Sequence, residues 1–79
     1  MKIHIKTYRD YFDLTPDDRV MCEYCNKQEA VDVHHIQPRG AGGKNNIENL
    51  IALCRDCHTL AHREKITKRA LFIKHMSNL

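Results

Sequence analysis

The chain has no tryptophan, and its aromatic content is three tyrosines and two phenylalanines in 79 residues. So few large side chains exclude a core that could hold a domain of this size without help, because small domains bury too little surface and need a staple. No apolar run approaches the ~18 residues of a membrane span. The N-terminal MKIHIKTY alternates polar and apolar residues and has no apolar stretch of the secretory type. The expected location is therefore the cytoplasm of a bacterial or phage-infected cell, with no membrane partner. Internal repeats, low-complexity tracts and linkers are also missing, and the chain reads as one domain, 1–79.

The staple is present as four cysteines, Cys22, Cys25, Cys54 and Cys57, arranged as CEYC and CRDC. Cytosolic thiols stay reduced, so two such pairs favour a metal over disulfides. Each Cys-x-x-Cys turns two thiolates to one side, and two knuckles complete a tetrahedral site for a structural Zn²⁺. A redox pair, plain buried thiols and rubredoxin-like iron are the competing readings. A closed site of four cysteines leaves no coordination position for water or substrate, so it pins the fold and performs no chemistry. Between the knuckles lie 28 residues. Simple zinc ribbons have about 15–20 there, so function is to be sought in the excess, HHIQPRGAGGKNN.

Charge is uneven. Residues 1–37 carry five basic against seven acidic residues, and residues 38–79 carry eight against three. Clustered positive charge suits a polyanion, although four thiolates around Zn²⁺ reduce the net value of +3 to about +1.

Local patterns place the elements. KIHIKTY alternates with period 2 and predicts a short strand. Thr15 and Pro16 offer the start of a short helix. AVDVHHI predicts a strand ended by Pro38, PRGAGGKNNIEN a loop, LIAL (50–53) a second strand, and a helix follows from Asp56. The C-terminal EKITKRALFIKHMSNL predicts an amphipathic helix with Lys65, Lys68 and Arg69 on one side and Phe72, Ile73 and Met76 among its apolar positions.

Six histidines are present. His4 and His75 read as surface residues. His58 and His62, four apart in HTLAH, share a helix face and can chelate one ion. His58 follows Cys57 directly, so the zinc knuckle fixes where it points. His34 and His35 are neighbours in a strand and must face opposite sides. One can complete the metal site, and the other, as a neutral imidazole, suits a general base.

These residues carry a resemblance. CEYC…VDVHHIQPRGAGGKNNIENLIALCRDCHTLAH, from Cys22 to His62, closely resembles the HNH endonucleases. The resemblance implies a small α+β fold: a ββα-metal (His-Me finger) core stapled by a four-cysteine zinc site, with a C-terminal helix. It implies His35 as general base and Asn49 as the residue that orients it by bracing the loop, with Asn45 and Asn46 as competitors placed too early. His34 stands where many members have Asp and the nuclease colicins have His, so it would be a metal ligand with His58. His62 matches a third histidine of the colicin-type version.

The implied activity is metal-dependent hydrolysis of DNA phosphodiester bonds, leaving 5′-phosphate and 3′-hydroxyl ends. One divalent ion (Mg²⁺, Mn²⁺, Ni²⁺ or Zn²⁺) fits better than two, because no carboxylate cluster exists. Three imidazoles lean toward the transition ions. Arg39, Lys44, Arg55, Arg63 and Lys65 flank the site and could meet phosphates. So small a chain implies little sequence specificity without a homodimer or a larger phage nuclease assembly. The alternative is a non-catalytic zinc ribbon that binds nucleic acid or protein.

Overall fold

The computed structural model describes residues 2–79. It is a small α+β fold: a two-stranded antiparallel hairpin with helices on both faces. The first element, α1, spans Ile3–Tyr11 and is a helix, not the strand that alternation predicts. In IHIKTYRDY the two periods coincide over a few residues. The longer reading puts Ile5, Tyr8 and Phe12 on one stripe, and Tyr8 is buried. An exposed Lys6–Asp10 pair one turn apart adds support. Beyond α1, Thr15 does not begin a helix. Its amide donates to the Asp18 carboxylate and its carbonyl accepts from the Asp18 amide, which closes a turn instead.

The hairpin consists of β1 (Asp32–His35) and β2 (Leu50–Leu53). His34 pairs with Ile51 and His35 with Leu50. Every residue of β2 is buried, because both faces of the strand are covered. Leu50 and Ala52 pack with Tyr8, Val33 and Phe12 on the α1 side. Ile51 and Leu53 pack with Ile36, Leu71 and the cysteines on the other. Alternation along β1 follows the same division. Val33 belongs to the first cluster and Ile36 to the second, so His34 and His35 lie on opposite faces.

The link between the strands is ordered by one side chain and one glycine. Asn49 accepts from the Gln37 amide (2.7 Å) and donates to the carbonyls of Gln37 (3.1 Å) and Lys44 (2.9 Å), so it ties both ends of the loop. A Cβ on Gly43 would lie 1.7 Å from the Gln37 carbonyl oxygen, so no other residue fits there without moving the backbone.

Two helices follow, α2 (Arg55–His62) and α3 (Lys68–Met76). Cys54 is the N-cap of α2, its sulfur accepting from the Cys57 amide. Thr67 caps α3 by accepting from the Ala70 amide at 3.1 Å. The buried residues of α3 are Leu71 and His75, one turn apart. Phe72 and Ile73, expected on the apolar face, are exposed.

His75 overturns a further expectation, being fully buried and not at the surface. Its Nδ1 lies 2.7 Å from Glu23 Oε1, and its Nε2 faces the Ile47 carbonyl. Both partners are acceptors, so both nitrogens donate. Glu23 also accepts from Tyr8 Oη (2.6 Å), the Ala52 amide (2.9 Å) and Asn78 Nδ2 (3.0 Å). Burial alone would raise the Glu23 pKa, but these donors hold it below its usual value. Burial would lower His75, and the Glu23 and Ile47 acceptors outweigh it and raise it. The Tyr8 hydroxyl is pushed up by burial and by donating to Glu23. One carboxylate thus joins the first cysteine knuckle, α1, β2 and α3. The network holds a polar group in a core with no unpartnered buried side-chain polar atom among the described residues.

Candidate functional site

The cysteines come together first. Cys22 and Cys25 sit on a tight turn held by an antiparallel bridge between Met21 and Glu29, with Asn26 at φ 56° donating its amide to the Cys22 carbonyl. Cys54 and Cys57 open α2. All four sulfurs lie within 4.8 Å of one another. Cys25 Sγ and Cys54 Sγ are 3.9 Å apart, close to the ~3.8 Å edge of a tetrahedron with Zn–S bonds of about 2.3 Å. Three of the four cysteines are buried. Backbone donors, chiefly the Lys27 amide, hold the Cys25 thiol down to about 6, while burial pushes Cys54 and Cys57 up. Without an ion, buried thiols keep their protons; a cation displaces them. This donor set fits structural zinc.

One turn further along α2 a second cluster forms. His34, His58 and His62 place one ring nitrogen each within 4.8 Å of the others. His58 Nε2 and His62 Nε2 are 3.0 Å apart. The His34 ring lies 5.0 Å from that of His58 and 5.4 Å from that of His62. Burial, followed by the charges of His58, His62 and His35, holds His34 down to about 4. It is neutral at neutral pH and offers a lone pair, as a metal ligand must. The cluster is half-open to solvent, and three imidazoles leave positions free, which fits a divalent ion that also takes water or substrate.

Asp32 belongs to this site through a ligand rather than as one. Its carboxylate accepts from His58 Nδ1 at 3.0 Å. That bond puts the proton on Nδ1 and leaves the Nε2 lone pair facing His62 and His34, the carboxylate–histidine arrangement common behind metal ions. A signal for it exists in the sequence: Asp32 and His34 are two apart in a strand and share its face.

His35 points the other way. Its Nε2 is 2.7 Å from Asn45 Oδ1, an acceptor, so Nε2 carries the proton and Nδ1 keeps the lone pair. The ring of His4, from α1, lies 4.8 Å away at 45°. His4 has a lowered pKa from burial first, then from the charges of His35, Lys2 and Arg39. The asparagine that touches His35 is therefore Asn45, while Asn49 secures the loop that carries it. The contacts of Asn45 and His4 are not visible in the sequence, since they depend on the loop's path and on α1.

The three-histidine cluster and His35 line a cleft of about 830 Å³ together with Arg39, Lys68 and Arg69. Of the five cations expected near the site, Arg39 lines it. Lys44, Arg55, Arg63 and Lys65 stand outside its lining.

The HNH endonuclease family model matches residues 22–64, more than half of the chain. The Type IV methyl-directed restriction enzyme EcoKMcrA of Escherichia coli (strain K12) is 32% identical over 60 residues, which cover 65% of this chain and 22% of that enzyme. Anaredoxin of Nostoc sp. (strain PCC 7120 / SAG 25.82 / UTEX 2576) is 29% identical over 63 residues, 80% of each chain. The chain thus spans less than a quarter of the restriction enzyme's length. No solved structure matches.

Proposed function

The chain belongs to the HNH endonuclease family, and from that premise we propose that it is a metal-dependent DNA endonuclease that hydrolyses phosphodiesters to 5′-phosphate and 3′-hydroxyl ends. The observation that carries the proposal is the division at His34 and His35. One strand position delivers an imidazole to a three-histidine cluster. The next delivers one with a free lone pair to the same cleft.

His34, His58 and His62 would hold the divalent ion, with Asp32 fixing the tautomer of His58. Such an ion would supply positive charge against the negative charge that builds on the phosphoryl oxygens and the departing 3′ oxygen. His35 Nδ1 takes the proton of the attacking water. Asn45 holds the opposite nitrogen, so the ring presents its lone pair without rotating. The rings of His35 and His4 pack against each other, which keeps bulk water off one side of the base. Arg39, in the cleft wall, meets the substrate phosphates. The cleft lining holds no cluster of carboxylates of the kind two-ion catalysis uses, and Asp32 is engaged with His58. A zinc ion on the four cysteines would take no part in the reaction and would hold the start of α2.

Supercoiled plasmid tests the proposal. Wild-type protein with Mg²⁺, Mn²⁺ or Ni²⁺ is expected to nick it, and His35→Ala to nick it ~10²–10⁴-fold more slowly. No nicking with any ion would remove the enzymatic reading in favour of a binding zinc ribbon. Equal rates would remove His35 as the base.

A further inference from the structure

A second hollow, of about 400 Å³, adjoins the cleft, and Ile36, Lys68 and Arg69 line both. Its wall includes Phe72, 46% exposed, and Asn46. The exposure of Phe72 follows from α3's own geometry. Leu71 and His75 occupy the buried stripe, so Lys68 and Phe72, four apart, share the adjacent stripe of the helix, and both line the hollow. Phe72 belongs to neither core cluster and shares the lining of the hollow with two cations. Lys68 and Arg69 are exposed and have no carboxylate within ion-pair distance among the described residues. The hollow contains one acid, Glu48. All three α3 residues lie outside the family-matched segment, 22–64.

We infer that Lys68, Arg69 and Phe72 form a nucleotide subsite. It takes one unpaired base of a single DNA strand, stacked on Phe72, with its flanking phosphates on the two cations. Aromatic rings and cations in one groove are the chemistry that holds single strands, because every base has a stacking face and duplex bases are turned inward. The volume suits a small ligand group. The shared wall carries the strand directly from this subsite to the histidine cluster. The inference rests on the phosphodiester-cleaving reading of the cleft for the direction of the strand, and it makes single-stranded or locally opened DNA the preferred substrate.

The absence of tryptophan provides the test. A Phe72→Trp protein has one indole, at the subsite. With no divalent ion added, a short oligothymidine is expected to quench its emission and to bind more tightly than a duplex of the same length. Read by the anisotropy of a labelled oligothymidine, Phe72→Ala should weaken binding ~5- to 150-fold relative to wild type. Lys68→Ala and Arg69→Ala should each reduce the salt dependence by about 0.7 in log–log slope. Binding without quenching, or equal affinity for the duplex, would overturn the inference. Quenching on raising the protein concentration without DNA would also overturn it, since a second copy would then cover this face. Cleavage is read separately on the same variant. Quenching without any cleavage supports the subsite and removes the nuclease reading; cleavage without quenching does the reverse.

Discussion

Two clusters of metal-binding side chains share α2 and differ in burial, ligand chemistry and outlook. At the N-terminal end, Cys54 and Cys57 join Cys22 and Cys25 in a mostly buried set of soft donors. One turn on, His58 and His62 join His34 in a half-exposed set of borderline donors at the wall of a cleft. Burial and a full complement of four ligands make the first a fold element. Exposure and only three ligands set the second apart as the candidate for the proposed reaction. A single short helix suffices for both, because Cys54 caps its start beside Cys57 and its next turn projects the imidazoles toward His34 of β1.

Breaking the first cluster should have the largest effect. Structural zinc in small domains contributes on the order of 10–16 kcal/mol, more than such a domain's whole stability. Cys54→Ser is therefore expected to lose both the ion and the fold, read together by metal analysis and circular dichroism. A folded, zinc-free Cys54→Ser protein would show that the core alone suffices.

The second cluster should fail differently. His34→Ala is expected to keep zinc and fold while losing the added divalent ion, read by calorimetric titration of Mn²⁺ or Ni²⁺. A loss of zinc in this variant would merge the two clusters into one.

The buried pair of Glu23 and His75 comes next. His75→Ala leaves Glu23 as an uncompensated buried charge and should destabilise by about 3–5 kcal/mol. The pH dependence has a definite sign. His75 is raised above 6.5, so its contribution is complete below that value and is lost as the pH rises through the raised pKa. Wild type should therefore lose thermal stability on that alkaline side, and His75→Ala should lack that arm.

The smallest effect sharpens the second cluster alone. Asp32→Asn keeps the shape but weakens the acceptor for His58 Nδ1. Divalent-ion affinity should drop ~10–100-fold with zinc and melting temperature unchanged. Unchanged affinity would mean that His58 needs no partner to present Nε2.

Much of this division is legible in the residues. Two Cys-x-x-Cys pairs, the His-His neighbours and the His-x-x-x-His spacing are local, and strand and helix periods translate them directly into faces. The hairpin and α2 follow for the same reason. What is not legible depends on contacts distant in sequence. The α1 segment is short enough for two periods to coincide, and only Tyr8 reaching Glu23 decides between them. His75 has the local pattern of a terminal surface histidine because its partner, Glu23, is 52 residues away. Asn45 reaches His35 only because Gly43 lets the loop press against Gln37. Phe72 and Ile73 defy the apolar pattern because α3 buries just two residues, and one of them is a histidine.

The central claim, two ions with separate tasks on one helix, meets its most direct test in mild chelation. Dialysis against a weak chelator, followed by native mass spectrometry, circular dichroism and plasmid nicking, reads both clusters in one sample. One retained zinc, an unchanged spectrum, and nicking that vanishes and returns on adding a divalent ion are expected. Nicking that persists with a single bound zinc, or that disappears only together with zinc and fold, would contradict that claim.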